Sequence, residues 1–395
     1  MIRRWLHDAI LVDPESGSEA PGCLLLEGER IAARCGPDAP APESARPTSL
    51  HGARLAPGFL DVHHHGELAA CQIDDARGAL RRASASLVRH GVTAFLPTTI
   101  AWPAPELLAR VEHIATAIAR SEWPGAVPLG LHLEGPWILS AAAGAQPPAG
   151  IRPYDPREGA ALFDRAGSLL RMVTLAPELP GAAALQAELA RRRVVVALGH
   201  TLAGEQDVRA AVERGACHVT HLFNAMGCTR HRDPARPDDA PDGFAAVALA
   251  HEALGCDLIA DGAHVHPDWL RIAARAKRER TVLISDRIDV PASGRDAWLG
   301  ADRMRSDGVA WRLPDGRLAG SLLTLDVAAR NVETWRVMTR AEAIAACTVR
   351  PARLLGIERT RGTLAVGARA DLVELDAAGE VRATWVAGRR VYAAD

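Results

Sequence analysis

GFLDVHHHG, residues 58–66, is a short apolar run that closes on three consecutive histidines. Alternate side chains of a strand share a side, so His63 and His65 face one way and His64 the other. Seven further runs of this kind follow: TAFLPTT (93–99), VPLGLHLE (127–134), LRMVTLAPE (170–178), VVVALGH (194–200), CHVTHLF (217–223), CDLIADG (256–262) and TVLISD (281–286). Ala-, Arg- and Leu-rich stretches of helical period separate them, near 75–90, 104–121, 156–166, 181–193, 204–214, 244–254 and 267–280. Eight strand-helix units over roughly 290 residues predict an α/β chain folded as a (β/α)8, TIM-like barrel. An open doubly wound sheet is the alternative, but no G-x-G-x-x-G follows the first run.

Residues able to bind metal or move protons fall at the carboxyl ends of five runs: His63 and His65, Glu134, His200, His221 and Asp286. In a barrel those ends converge on the face where catalytic residues gather. A single such histidine is more often a hydrogen-bonded core or rim residue; five ends with one chemistry are hard to obtain by chance. His64 is expected to point away from the group. Imidazole nitrogen with carboxylate oxygen and no thiolate suits zinc, iron, manganese or a similar divalent ion, at a catalytic rather than a structural site. Asp286, which closes the last run, can take a proton from an activated water and hand it to a leaving amine. Its plainer alternative is a helix cap or an ion-pair partner for Arg287.

The 395 residues carry 46 positive side chains, 45 of them Arg and one Lys277, against 48 carboxylates, for a formal charge of -2. That balance gives no basic excess for nucleic acid. No stretch of about 18 apolar residues suggests a membrane span, and the amino-terminal MIRRWLHDAILVDPESG reads as unprocessed, soluble sequence. Seven scattered cysteines without a C-x-x-C pair fit a reducing, cytoplasmic setting rather than a disulfide framework or a thiolate zinc site. Both ends have strand character: DAILVD and CLLLEGERIAAR in the first 55 residues, GTLAVGARADLVELDAAGEVRATWVAGRRVY in the last 35. They predict one discontinuous β unit, 1–55 with 360–395, around a catalytic unit over 56–359. Residues 136–153 and 227–243 fit neither strand nor helix and are lid or binding-loop candidates; 287–318 is expected to hold short strands or turns.

APGFLDVHHHG (56–66), LGLHLEGPW (129–137), LGHT (198–201), THLFNAM (220–226), IADGAHVHP (259–267), LISD (283–286), LAGSLLT (318–324) and the tail PARLLGIERTRGTLAVGARADLVELD (351–376) resemble the N-acetylglucosamine-6-phosphate deacetylases of the amidohydrolase superfamily. The resemblance runs in order over almost the whole chain. HLEGP with THLFNAM marks that family, whereas PGFxDxHxH and the ADLV tail mark only the superfamily. It implies a metal-dependent barrel hydrolase with a β-sandwich built from both chain ends, working as a homodimer. By the resemblance, Glu134, His200 and His221 hold the main ion, zinc above iron or manganese, and His63 with His65 can hold a second. Asp286 is then the acid/base and His264 a substrate contact, while Asn224, Ala225 and Arg232 meet the phosphate. Arg230 and Arg236 lie beside Arg232 in the same loop, and guanidinium forks suit phosphate oxygens in a chain almost without lysine.

Two departures stand out. Where the family has a histidine about twelve residues after the HLEGP glutamate, in a segment that closes over the sugar, this chain has Gln146, which can hydrogen-bond but not carry charge. Arg287 and Asp289 stand where the family has small residues. Both departures are expected near the substrate rather than the metal. The expected reaction is removal of the acetyl group from a phosphorylated amino sugar, N-acetylglucosamine 6-phosphate first, giving glucosamine 6-phosphate and acetate. The alternatives are an amidohydrolase for another N-acyl sugar or for an unphosphorylated or cyclic amide, and a non-catalytic sugar-phosphate binder on the same fold. Lys277, in the helical RIAARAKRER, is far in pattern from any strand end, so a site bridged by a carboxylated lysine is excluded and Glu134 has to supply the carboxylate.

Overall fold

The computed structural model describes residues 2–69, 75–227, 243–290, 297–299 and 302–394. The amino-terminal strands are β1 (Arg3–Asp13), β2 (Ser18–Glu27), β3 (Arg30–Cys35), β4 (Arg46–Ser49) and β5 (Arg54–Pro57). Strands and helices then alternate as β6 (Phe59–Gly66), α1 (Ala76–Leu87), β7 (Val92–Thr99), α2 (Ala104–Arg120), β8 (Val127–Pro128), β9 (Leu131–Glu134), α3 (Pro156–Ala166) and β10 (Leu170–Leu175). The alternation continues with α4 (Ala182–Arg191), β11 (Val195–Leu198), α5 (Glu205–Glu213), β12 (Ala216–Val219), α6 (Phe244–Ala250), β13 (Gly255–Ile259), α7 (Pro267–Lys277) and β14 (Thr281–Ile284). Beyond it come β15 (Arg287–Ile288), β16 (Ala297–Leu299), β17 (Asp302–Ser306), β18 (Ala310–Arg312), β19 (Leu318–Ser321), α8 (Leu325–Thr334), α9 (Arg340–Cys347) and α10 (Val349–Leu354). The chain ends in β20 (Leu372–Leu375), β21 (Val381–Val386) and β22 (Arg389–Ala393).

The central strands line up side by side in chain order, β6-β7-β9-β10-β11-β12-β13-β14, each parallel to the next. Strands β6 and β7 are buried at every position, as parallel strands covered on both faces must be. The sheet curls until its last run returns to its first: β14 pairs with β13, the Asp286 amide donates to the His63 carbonyl (3.0 Å), and β15 pairs with β6. The inner faces of the helices supply the other half of the main core, for example Leu107, Val111 and Ile114 of α2. Helix starts follow local chemistry. Asp155 caps α3 by accepting from the amides of Arg157 and Glu158, and Thr339 with Glu342 forms a capping box on α9.

One expected run is split. VPLGLHLE breaks into β8 and β9 at Gly130, whose φ of +144° suits only glycine and where a Cβ would lie 2.2 Å from the Leu169 carbonyl oxygen. The excursion after β14 carries β15 to β19, the last four linked by antiparallel pairing from β16 to β19. Both termini share a second sheet, β22-β21-β20-β5-β1-β2-β3, with β4 also on β1. It curls around one apolar cluster drawn from both ends, with Leu6, Leu24, Ile31 and Leu55 against Leu364, Leu372 and Trp385. Among the described residues no helix is long and apolar enough to cross a membrane, and Cys23, Cys35, Cys217, Cys256 and Cys347 are free thiols.

Candidate metal centre and active site

Two groups of ligand atoms meet at the carboxyl end of the curled sheet: Glu134, His200 and His221, and beside them His63, His65 and Asp286. All six side chains are buried. The Glu134 carboxylate joins the groups. Its Oε1 is 2.9 Å from His200 Nε2 and 2.8 Å from His221 Nε2, while its Oε2 is 3.5 Å from His63 Nε2 and 3.4 Å from His65 Nε2. Asp286 Oδ1 sits 3.3 Å from His63 Nε2 and 3.2 Å from His65 Nε2. Thus the sequence-derived ligands and the proposed base converge, and Asp286 falls inside the second ligand group as well as beside the first.

Backbone geometry makes the convergence possible. Strand pairing in β11, β12 and β14 stops two residues short of His200, His221 and Asp286. These three adopt φ of +49°, +32° and +49°, left-handed conformations that non-glycine residues rarely hold. Such backbone turns each side chain inward and costs of order 1–3 kcal/mol per residue, a cost met where the surrounding fold dictates it.

The hydrogen bonds on the far side of the rings set the tautomers. His65 Nδ1 donates to the Thr98 carbonyl (3.1 Å) and His200 Nδ1 to the Ala142 carbonyl (2.9 Å), so in the neutral rings each Nε2 presents a lone pair. Those lone pairs face carboxylate oxygens, an arrangement that needs either a proton or a cation between them. Without a cation, protons fill the gaps. Burial opposes charge on His63, but the Glu134 and Asp286 carboxylates override it and raise its pKa to about 9. Burial likewise works against ionised Glu134, yet the charge of His63 and hydrogen bonds from His200 and His221 hold it well below the usual carboxylate range. Asp286 behaves the same way: burial is outweighed by His65 and His63, which lower it to about 2. The donor set, four imidazoles and two ionised carboxylates around one point, fits one or two divalent ions.

His64 points away, as expected, with Nδ1 3.3 Å from Ser285 Oγ; burial lowers its pKa to about 4. Lys277 lies at the end of α7, its Nζ donating to the His251 carbonyl at 2.7 Å, which keeps it out of the site.

The ligands open into a cavity of about 250 Å³ lined by Gln146, Phe223, Asn224, Ala225, His264 and Arg317, among others. His264 Nδ1 donates to Asp261 Oδ2 at 2.6 Å, leaving Nε2 free to meet a ligand. The Asn224 side chain donates to the His221 carbonyl (3.2 Å). Arg230, Arg232 and Arg236 lie outside the described residues. The two departures sit differently: Gln146 lines the cavity, whereas Arg287 and Asp289 lie outside its lining. Gln146 is buried and hydrogen-bonded to Glu134 Oε2 (2.7 Å), so it reaches the metal centre itself. Arg287 and Asp289 pair with each other (2.7 Å), and Arg287 also donates to the Leu322 carbonyl behind it, because β15 is held between β6 and β19.

Several residues that hold the site were not singled out from sequence. Asp61 Oδ1 accepts from the amides of His63 and Ser285 (3.3 Å each), tying the first and last runs together; burial raises its pKa to about 6. His132 stands edge-on to His63 with ring centroids 4.8 Å apart, held by the Val62 carbonyl and Thr174 Oγ1. Asp261 orients His264 and precedes it by three residues, a turn spacing that could have marked it.

A buried histidine-carboxylate centre at the strand ends of a curled parallel sheet defines a class, and comparison agrees with it. The pattern of the amidohydrolase family matches residues 54–391, and the chain belongs to that family. It is 36% identical to the N-acetylgalactosamine-6-phosphate deacetylase of Escherichia coli O157:H7 over 85% of this chain and 87% of that one. It is 34% identical to the human N-acetylglucosamine-6-phosphate deacetylase over 99% of this chain and 91% of the relative. Among solved structures, a mutant N-acetylglucosamine-6-phosphate deacetylase of Mycobacterium smegmatis in complex with N-acetylglucosamine 6-phosphate superposes with a TM-score of 0.87, at 30% identity, covering 99% of this chain and all of that one.

Proposed function

We propose that this chain is a metal-dependent deacetylase that hydrolyses the acetamide of N-acetylglucosamine 6-phosphate to glucosamine 6-phosphate and acetate. The observation that carries the metal reading is the set of Nε2 lone pairs, fixed by the Thr98 and Ala142 carbonyls, aimed at the Glu134 and Asp286 carboxylates. The substrate comes from the relatives: deacetylases of this sugar phosphate match nearly the whole chain.

Glu134, His200 and His221 would hold the main ion and His63 with His65 a second, zinc being the first choice and iron or manganese the alternatives. Held by these residues, a divalent ion would supply Lewis-acid chemistry toward the acyl oxygen and the attacking water. Asp286, ionised at neutral pH, accepts a proton from the attacking water and returns it to the departing nitrogen, so that water and amide leave as acetate and amine. His264, fixed by Asp261, together with Asn224 and Ala225 orients the sugar phosphate, and Arg232 supplies a fork for the phosphate oxygens. Gln146 lines the same cavity.

On this assignment Asp286→Asn lowers kcat by roughly 10²–10⁴-fold while the main ion, at Glu134, His200 and His221, stays bound. Near-normal turnover of that variant with metal in place would remove Asp286 from the role. A second reading, the galacto epimer as substrate, is favoured by the 36% identity to the E. coli enzyme. It is decided by comparing kcat/KM for the two epimers. Turnover that ignores the phosphate, and is unchanged in Arg232→Ala, would instead indicate an unphosphorylated amide.

We also read the curled sheet as a closed (β/α)8 barrel over 56–359 and the terminal sheet, 1–55 with 360–395, as a β-sandwich. The resemblance supports a homodimer, and the free thiols fit a cytoplasmic setting.

A further inference from the structure

Gln146 is the one departure from the family pattern that touches a ligand. It sits in the 136–153 loop, only 6% exposed. Its Oε1 accepts from the Ala101 amide at 2.7 Å and its Nε2 donates to Glu134 Oε2 at 2.7 Å. These two partners fix the amide's orientation, since an N–H can only donate and a carboxylate can only accept. The loop is turned on itself and packed closely here. The Gln146 amide donates to the Ala143 carbonyl (3.0 Å), and Gly150 packs so closely that a Cβ there would lie 1.7 Å from the Ala101 carbonyl oxygen.

We propose that Gln146 is a positioning residue for Glu134. Its amide holds the carboxylate so that Oε1 faces His200 and His221 while Oε2 turns to His63 and His65. The donated hydrogen bond occupies part of Oε2, the oxygen shared with the second ligand group, and so tunes how strongly that oxygen can serve an ion there. Through Ala101, which follows β7, the same amide couples the 136–153 loop to the metal centre. This inference rests on the metal-dependent reading above and assigns Gln146 an effect on the metal rather than on the sugar.

The test uses the full chain, stripped of metal and titrated with cobalt(II), whose visible bands report ligand geometry. Gln146→Met, of similar shape without the amide, should weaken cobalt affinity by about 10–100-fold, the usual effect of removing a hydrogen-bond partner of a ligand, and should shift the bands. Gln146→His, with a ring N–H to donate, should recover much of both. Should Gln146→Met fail to fold, Gln146→Asn carries the same expectation, since its amide is one methylene too short to span Ala101 and Glu134. Wild-type cobalt affinity and bands in Gln146→Met or Gln146→Asn, with a raised KM alone, would overturn the proposal and make Gln146 a substrate contact. A wild-type chain that takes up no divalent ion would overturn both this proposal and the deacetylase reading.

Discussion

Glu134 is the carboxylate that four imidazoles share, so its charge does more for the centre than that of any other residue. Glu134→Gln removes that charge while keeping the shape. It should cost more than about 100-fold in metal affinity, beyond the effect of changing an outer partner, as read by metal content after dialysis. Wild-type metal content in this variant would mean that the ion is held elsewhere. The six side chains that converge here were legible in the sequence as candidate ligands and base, because polar, ionisable side chains ending one apolar strand after another point to ends that meet at a shared site. Their backbone was not: nothing in LGHT, THLF or LISD announces the positive φ of His200, His221 and Asp286. The bond from Gln146 to Glu134 was hidden for a related reason. The partners of Gln146, Ala101 and Glu134, are 45 and 12 residues away, and only the folded loop brings all three together.

Elements were easier to read than their junctions. Apolar runs and helical periods located the central strands and helices to within a few residues, since a strand buried on both faces has to be apolar throughout. Gly130 split one run because a close backbone approach, not hydropathy, decides there. Helix α8 carries a junction that sequence did not reveal. Asp326 in its first turn lies 3.2 Å from His90, at the turn after α1, and 3.2 Å from Arg330. Burial alone would raise its pKa, but His90 and Arg330 lower it to about 2. A carboxyl depressed in the folded state stabilises above its unfolded value near 4, and that stabilisation fades as pH falls toward 2. Asp326→Asn should therefore be less stable than wild type by about 2 kcal/mol at neutral pH, with the gap in urea unfolding narrowing below pH 4. A gap independent of pH would show that the ion pair is not its source.

Across the whole molecule, the two chain ends form one sheet and one apolar cluster, so each end buries its apolar side chains against the other. Trp385 is fully buried there and donates to Glu374 Oε1 at 2.5 Å. Trp385→Ala should cost roughly 3–5 kcal/mol. It should lower the Tm, while the protein that remains folded binds metal normally; an unchanged Tm would contradict the joint packing of the ends. The sequence showed strands at both termini but not β4 and β5, whose short, Pro-containing segments lack any alternation to read. Acetate release reports the proposed deacetylation itself. The metal-loaded full chain is given N-acetylglucosamine 6-phosphate, its galacto epimer and the unphosphorylated sugars, and acetate and free amine are measured together. Equal amounts of acetate and amine from a 6-phosphate, with far less from its unphosphorylated counterpart, are predicted; no acetate from any of the four, with the site fully loaded, would contradict the account.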